Sequence, residues 1–474
     1  MLHIYTREKC WGCIVQFGGQ TPLNLARALE SNGVNIIGTS PASIEAAEDR
    51  ESFEELVTQL GIRQPQNGTA TTVDGALAAA HTIGYPVLVR PSFVLGGRAM
   101  AIVYDDAAMR RYAAEAVEVS ESRPILIDRF LEDAIEVDVD CIADGETAVI
   151  GAIMEHVEQA GVHSGDSACI IAPVTLDGDT IETIRRHTHA LARGLNVVGL
   201  MNVQYAVQGH TVYVLEVNPR ASRTVPFASK ATGVPLAKLA ALVMTGRKLR
   251  DLGFSGELHP RHYSVKEAVL PFIRFQGADI LLSPEMKSTG EVMGIDLDDG
   301  IAFLKSQMAA GTALPDGGNV FISVSDHDKP EAVRLARELE AMGYVLYATR
   351  GTATALREAG IQARALFRIS EGRPNVLDLM RERAIGWIVN SPSGAAPRAD
   401  EVRMRADALR LGIPITTTLS GLRAAVKGLK AFRCVRSLDV CSLQEYQRHT
   451  DERLRRPAAS APVAGRRRGD GAPA

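Results

Sequence analysis

Apolar and polar positions first alternate between helical and strand periods without a fixed repeat, then settle into a regular one. Between residues 13 and 40, "CIVQFGG", "TPLNLARALESNG" and "VNIIGTS" predict a strand, a helix stopped by Gly33 and a second strand. The stretch "PASIEAAEDRESFEELVTQLG" keeps a helical period up to Gly61, with Ser40 or Ser43 as its N-cap. From about 65 to 105 the pattern predicts a strand, the helix "TVDGALAAAHTIG", the strand "YPVLVRPS" and the glycine-containing "FVLGGRAMAIVYD". "RPILIDRFL" and "IEVDVDCIADGETAVIGAIMEH" read as strands, the second pair hinged at "DGE". "MNVQYAV", "QGH" and "TVYVLEVN" read as a hairpin with Gly209 in its turn. From about residue 311, "NVFISVS" through "IPITTTLSG" alternates strand and helix at short spacing, which predicts a doubly wound parallel α/β unit. After about 450 the period disappears into Arg, Ala, Pro and Gly, which predicts a disordered tail.

Composition adds limits. The chain has 474 residues, 46% of them hydrophobic, enough for two or three cores. A net charge of -4 and a pI near 6.3 give no general reason to expect nucleic acid or a membrane surface as partner. No run approaches the roughly 20 apolar residues of a membrane span, and "MLHIYTREKCWGC" does not read as a signal peptide, so a cytoplasmic protein is expected. Six cysteines supply no disulfide framework, and Cys10 and Cys13 form a solitary C-x-x-C whose spacing reads as accidental.

The chemistry concentrates in "VYVLEVNPRASRT". Glu216 and Asn218, two apart on a strand, project to one face, and a short hairpin brings Gln204 across from them. One carboxylate and two amide carbonyls suit Mg²⁺, which keeps other positions for water and phosphate oxygens. Arg220 emerges beside them, able to pair with a transferring phosphoryl group or a carboxylate. In "RPSFVLGGRAM", Gly96 and Gly97 permit a hairpin whose N–H groups can close over phosphates, and Arg90 adds fixed charge. Residues 128–132 would form a connector along an adenine edge, with Glu136 placed for ribose hydroxyls. Glu136, Asp138 and Asp140 stand at every second position, which is equally the pattern of a solvent-facing strand. His163, in the polar "EQAGVHSGDSA", reads as a nucleotide or phosphate contact, because phosphoryl transfer chiefly needs positioning and charge.

In this order, "VQFGGQTPLNLA", "AEDRESF", "RPSFVLGGRAM", "EVDVDCIADGE", "GAIMEHVEQAGVHSGDSA", "GLMNVQYAV", "EVNPRASRTVPFASKATGVPLAKLA", "YSVKEAVLPF" and "PEMKSTGEVMG" resemble ATP-grasp enzymes, and more closely the carboxy-terminal half of the carbamoyl phosphate synthetase large subunit. The resemblance covers roughly residues 14 to 445 and implies α/β and α+β architecture. It places a truncated pre-ATP-grasp β-α-β remnant at 1–45, an ATP-grasp domain at 46–245 and its end and linker at 246–310. A methylglyoxal-synthase-like doubly wound regulatory domain follows at 311–447, and the tail at 448–474. The activity implied is ATP- and Mg²⁺-dependent (or Mn²⁺-dependent) phosphorylation of carbamate, in arginine and pyrimidine biosynthesis.

Carried over by resemblance, Arg90, Arg129, Leu131, Glu136, Gly161, Val162, His163 and Ser164 contact the nucleotide; Gln204, Glu216 and Asn218 hold metal; Arg220 acts on the transferring group. Gln204 and Glu216 thereby serve the nucleotide as well. Relatives often have histidine at the place of Arg129. Arg50 and Arg98 are weaker candidates. In the last unit Lys329, Thr349, Thr352 and Asn390 match an effector-phosphate pattern, for UMP, IMP or ornithine in relatives. Arg368 replaces the usual lysine, and Pro392 in "NSPSG" removes a hydroxyl and an N–H, so effector binding is expected to be altered. The implied partners are carbamate and ATP, a separate amino-terminal synthetase half and a glutaminase subunit. Two other readings compete: an inactive remnant that binds nucleotide or effector, and another ATP-grasp carboxylate–amine ligase. Removal of residues beyond 310 is expected to leave the phosphorylation reaction largely intact.

Overall fold

A computed structural model describes residues 1–91, 100–119, 124–272, 280–391, 399–435 and 437–454. Arg98, Gly96, Gly97 and Pro392 lie outside the described residues.

At the N-terminus the helix Gln20–Ser31 packs Leu23 and Ala26 against Val15 and Ile44. The two strands expected on either side contract to one parallel bridge between Cys13 and Ile36. Cys13 N–H donates to Asn35 O at 2.8 Å and Ile37 N–H to Cys13 O at 3.0 Å. A parallel pair with no further strand beside it among the described residues propagates poorly, which accounts for the contraction. The single helix expected up to Gly61 is two, Pro41–Glu48 and Arg50–Gln59. Asp49 leaves helical backbone, with ψ 125°, and its carboxylate caps the second helix by accepting from Ser52 N–H. Ser40 caps the first.

Strands β1 (Asn67–Ala70), β2 (Val87–Pro91), β3 (Ala101–Val103) and β4 (Ile125–Arg129) form an antiparallel sheet in the order β1-β4-β2-β3. Its apolar face (Val87, Val89, Ile125, Ile127) is covered by the helices Val73–Ile83 and Asp106–Val119.

The central sheet contains β5 (Ile135–Asp144), β6 (Ala148–Gln159), β7 (Cys169–Ile171), β8 (Val198–Gln208), β9 (Thr211–Asn218), β10 (Tyr263–Val269) and β11 (Gly290–Asp296). They run antiparallel in the order β11-β10-β7-β6-β5-β8-β9. On one face Val137, Val139, Val203 and Val217 pack with Ile184 and Leu191 of the helix Gly178–Gly194 and with Phe53 and Val57. On the other, Ile142, Met154 and Leu200 lie under the helices Val225–Thr232 and Leu236–Met244. Strands β5, β8 and β9 continue beyond that cover and carry polar residues on the same face.

Strands β12 (Asn319–Ser323), β13 (Val345–Thr349), β14 (Ala363–Leu366), β15 (Trp387–Asn390) and β16 (Ile415–Thr416) form a parallel sheet in the order β14-β13-β12-β15-β16. This is the expected doubly wound unit, but it is not separate from the rest. Val320, Leu335, Leu346, Val389 and Leu422 share one apolar core with Ala168, Ile170 and Val265 of the central sheet and Ala302 and Phe303 of the helix Asp299–Ala309. That helix crosses the helix Leu419–Val435 where Gly300 meets Gly428, so closely that a Cβ on Gly428 would stand 2.6 Å from Gly300 O. The helix Leu443–Leu454 then returns to the helix Val225–Thr232, where Gln447 Nε2 donates to Lys230 O at 2.8 Å and the Tyr446 ring meets His262. The chain is therefore helical to residue 454, past the expected start of the tail at 448. No described helix by itself is long and apolar enough to cross a membrane.

Candidate nucleotide and metal site

The antiparallel register of β8 and β9 sets Gln204 directly opposite Glu216 and Asn202 opposite Asn218. Directly paired residues share a face, and so do residues two apart, so Gln204, Glu216 and Asn218 stand together on the uncovered face, as the pattern predicts. A bulge follows Gln204. Glu216 Oε1 accepts from Asn218 Nδ2 at 2.8 Å, Asn218 Oδ1 from Arg220 Nη2 at 3.0 Å, and Ser164 Oγ from Gln204 Nε2 at 3.1 Å. The loop carrying His163 and Ser164 is thereby fastened beside the hairpin.

Strand β5 extends the row. Asp138 pairs with Gln204, Asp140 with Asn202 and Glu136 with Ala206. Asp138 and Asp140 are 2% and 1% exposed, so the alternation of acids is an inward face of a central strand and not a solvated one. Burial pushes the Glu136 carboxyl up; its Oε1 accepts from Gly161 N–H at 3.1 Å. Gly161 has φ +101°, and a Cβ there would crowd Ile102 and Phe130, so glycine lets the loop approach the neighbouring lobe. Leu131 joins Ala134, Ala206, Tyr213 and Leu215 in a small apolar cluster at the end of the same face, a surface suited to an adenine ring.

Other expected residues are placed as follows. Arg90 is the last residue but one of β2, and its Nε donates to Asp128 Oδ2 at 3.0 Å; the other oxygen of Asp128 is held by Arg50. Arg129 Nη1 is taken up by backbone carbonyls at the end of the helix Val73–Ile83, donating to Gly84 O at 2.8 Å and Tyr85 O at 3.1 Å, which ties it to scaffold. Burial pushes the His163 imidazole down. Its Nδ1 accepts from Gly165 N–H at 3.0 Å, so it shapes its own loop. Val162 lies in that loop, half-buried.

Sequence reasoning missed several residues here. His156 is 5% exposed, and its Nε2 meets Asp138 Oδ2 at 2.9 Å while Nδ1 lies 3.6 Å from Glu136 Oε2. Burial opposes its protonation, but Cys169 and Asp138 outweigh that and raise its pKa. Lys266, 1% exposed, donates through Nζ to Ser164 O at 3.2 Å. Asp140 accepts from Asn202 Nδ2 at 2.9 Å and from Ser222 Oγ and Thr224 Oγ1 at 2.7 Å each. A carboxylate, imidazole or ammonium inside an apolar strand is the available signal for all of them.

The donor set fits a hard divalent cation with a polyphosphate: carboxylate and amide oxygens in one row, with a guanidinium beside it. Two buried atoms on this side of the sheet, Asp138 Oδ1 and Arg220 Nε, have no hydrogen-bond partner among the described residues, as groups awaiting a ligand would.

In the parallel unit, the C-terminal ends of β12 and β13 open on a cavity of about 320 Å³ lined by Ser323, Ser325, Thr349, Phe367, Arg368 and Asp400. Ligands of doubly wound sheets bind outside the carboxyl ends of the strands, the end on which this cavity opens, while the strand order itself reverses between β12 and β15. Thr349 lines it; Thr352 lies just behind, its Oγ1 3.3 Å from Thr349 Oγ1. Lys329 is paired with Asp326 at 2.6 Å, and buried Asn390 accepts from Arg405 Nη1 at 2.7 Å.

A β-sheet carrying oxygen donors and a guanidinium, beside a second lobe reached by a glycine loop, defines an ATP-grasp protein. The sequence model described as "Carbamoyl-phosphate synthase L chain, ATP binding domain" matches residues 49–252. The carbamoyl phosphate synthase preATP-grasp domain matches 1–46, which takes in the first thirteen residues, and the MGS-like domain matches 331–417. The chain is 55% identical over 447 residues to the carbamoyl phosphate synthase large chain of Archaeoglobus fulgidus, covering 94% of this chain and 41% of that one. It is 50% identical over 465 residues to the "Carbamoyl phosphate synthase large chain, C-terminal section" of Aquifex aeolicus, covering 94% of this chain and 87% of that one. The biotin carboxylase–nucleotide complex from Campylobacter jejuni shares the fold, with a TM-score of 0.54 at 14% identity over 66% of this chain and 77% of that one. A second fold neighbour is the 2-oxoglutarate carboxylase biotin carboxylase domain of Hydrogenobacter thermophilus, described with MgADP. Its TM-score is 0.50 at 18% identity, over 58% of this chain and 62% of that one. The chain belongs to the carbamoyl phosphate synthase large-chain family of ATP-binding, ATP-grasp ligases, in its carboxy-terminal section. It spans about two fifths of the full-length large chains it matches.

Proposed function

We infer that this chain phosphorylates carbamate with ATP, forming carbamoyl phosphate and ADP. The observation that carries the reading is the row Gln204–Glu216–Asn218 with Arg220 bonded to its end. In the transfer the carbamate oxygen bonds to the γ-phosphorus as the bond from that phosphorus to the ADP oxygen breaks, so charge builds on the equatorial phosphoryl oxygens. Arg220 is placed to pair with that charge, and Leu131 with its apolar neighbours to seat the base. Glu136, held by Gly161, faces the ribose side, and Arg90, fixed by Asp128, faces the phosphates. Mg²⁺, when bound by Glu216, Asn218 and Gln204, supplies charge neutralisation and fixes the phosphate oxygens.

The partners proposed are an amino-terminal synthetase half and a glutaminase that delivers ammonia. The support is that the relatives this chain matches are large chains of carbamoyl phosphate synthase. The cavity at Thr349 and Arg368 is proposed to take an anionic or nucleotide effector, with Lys329, Thr352 and Asn390 behind it.

The test is the reverse half-reaction. Purified chain with ADP, carbamoyl phosphate and Mg²⁺ is expected to form ATP, in proportion to enzyme and abolished by chelation. Folded protein that binds MgADP yet forms no ATP would leave only a nucleotide-binding module.

A further inference from the structure

We propose that Gln16, which lies in the N-terminal unit and reaches none of the donors described above, is a positioning residue for Arg220. The proposal rests on the phosphoryl-transfer reading and adds to it a residue from outside the ATP-grasp sheets.

Gln16 is 0% exposed. Its Nε2 donates to Pro219 O at 2.7 Å, and its backbone carbonyl accepts from Ala221 N–H at 2.8 Å. The residues on both sides of Arg220 are thus fastened to one glutamine, side chain to the first and main chain to the second. The remaining bonds fix the glutamine itself. Nε2 also donates to Thr39 Oγ1 at 2.9 Å, and Oε1 accepts from Thr39 N–H at 2.9 Å. Thr39 Oγ1 in turn accepts from Val198 N–H at 3.0 Å. Val198 opens β8, the strand that carries Gln204, so one amide is linked directly to the segment that follows β9 and, through Thr39, to the start of β8.

The packing is built for this contact. Gly38 has φ +107°, and a Cβ there would stand 2.2 Å from Gln16 Oε1. Nothing but glycine fits while Gln16 keeps its place.

Arg220 needs such an anchor because it stands in irregular chain just after β9. Its own bonds are local: Nη2 to Asn218 Oδ1 and Nη1 to Ala221 O at 3.3 Å. Past it, Asp140 holds Ser222 and Thr224. Gln16 closes the other side. Without its Nε2, Pro219 O loses its donor inside the protein, and the segment is free to shift by the fraction of an ångström that in-line transfer does not tolerate.

The experiment uses the full chain and two substitutions. Gln16→Met keeps the length and removes the amide; Gln16→Glu turns an oxygen toward Pro219 O. Three quantities are read: ATP formation from ADP and carbamoyl phosphate, MgADP affinity, and hydrogen exchange at residues 220–224. For both variants kcat is expected to fall roughly 10- to 100-fold. KM for ADP and the Kd for MgADP should stay within about twofold. Exchange should speed up at 220–224 but not in the helix Leu236–Met244. Arg220→Ala combined with Gln16→Met should be no slower than Arg220→Ala alone, since one residue acts through the other.

Unaltered kcat and exchange, additive losses, or a rise in KM with kcat intact would each overturn the proposal. If one variant fails to fold, the other carries the same comparison; loss of folding in both marks Gln16 as structural and overturns it too. If the unmodified chain forms no ATP, the phosphoryl-transfer reading falls, while faster exchange confined to 220–224 still supports the anchoring and unchanged exchange rejects it.

Discussion

Asp128 holds Arg90 through a bond of 3.0 Å from Nε to Oδ2, while its other oxygen is held by Arg50. All three side chains are largely shielded, at 16 to 27% exposure. Two guanidinium groups are thus set by one carboxylate on β4, which leaves Arg90, the proposed phosphate contact, with little rotamer freedom. Removing the carboxylate in Asp128→Ala is expected to weaken MgADP binding about tenfold, the scale of one charge-assisted bond lost from a presented arginine. Calorimetric titration checks it. Unchanged or tighter binding would mean that Asp128 competes with phosphate for Arg90.

Glu216 and Arg220 lie at opposite ends of one hydrogen-bonded chain through Asn218, so their removal should separate by readout. Both Glu216→Gln and Arg220→Ala are expected to lower ATP formation by roughly 10² to 10³. Glu216→Gln should also raise the Mg²⁺ concentration needed for half-maximal rate, whereas Arg220→Ala should not. Equal Mg²⁺ dependence in the two would reject the separate roles.

How much of this was legible follows from sequence distance. Gln204, Glu216, Asn218 and Arg220 could be read because a short turn fixes which residues face each other and a period of two fixes the side. Asp128 could not be paired with Arg90 and Arg50, because its partners come from a neighbouring strand and a distant helix. Nor could Asp138 be given to His156, which depends on β5 and β6 pairing with two register shifts. The N-terminal strands were overread because apolar runs do not say how many neighbours a strand will have. Asp49 was read as a helix interior because capping and helical continuation have the same local composition until ψ is known.

Asp140 gives a pH test with a definite sign. It is fully buried, and burial pushes its carboxyl from the ordinary 3.8 up to about 6 despite bonds from Thr224, Ser222 and Asn202. An acid with a raised folded pKa binds more protons folded than unfolded, so its contribution to stability declines as pH rises from about 4 to about 6 and is level above. Asp140→Asn keeps the shape without the titration. The stability difference between the two proteins should therefore change across that window by up to on the order of 3 kcal/mol, whatever its offset. Denaturant unfolding at pH 4.5, 5.5 and 7 measures it; a constant difference would show that the carboxyl is not shifted.

The shared core argues against the expectation that removal of residues beyond 310 leaves the phosphorylation reaction largely intact. Ala168, Ile170, Val265 and Phe303 would lose their cover, since their neighbours include Val320, Leu335 and Leu422. Truncation there should yield insoluble or unfolded protein and not an active fragment. A milder probe is the helix crossing, where a Cβ on Gly428 would stand 2.6 Å from Gly300 O and 2.7 Å from Leu304 Cγ. Backbone on one side cannot yield as a side chain does, so Gly428→Val should force the helices apart, destabilising the chain by about 1–3 kcal/mol. If the two units are coupled through this crossing, any response of ATP formation to a ligand in the Thr349 cavity should weaken together with stability. A variant that loses stability but keeps the full response would place the coupling elsewhere, with the returning helix Leu443–Leu454 and its contact to Lys230 the next segment to test.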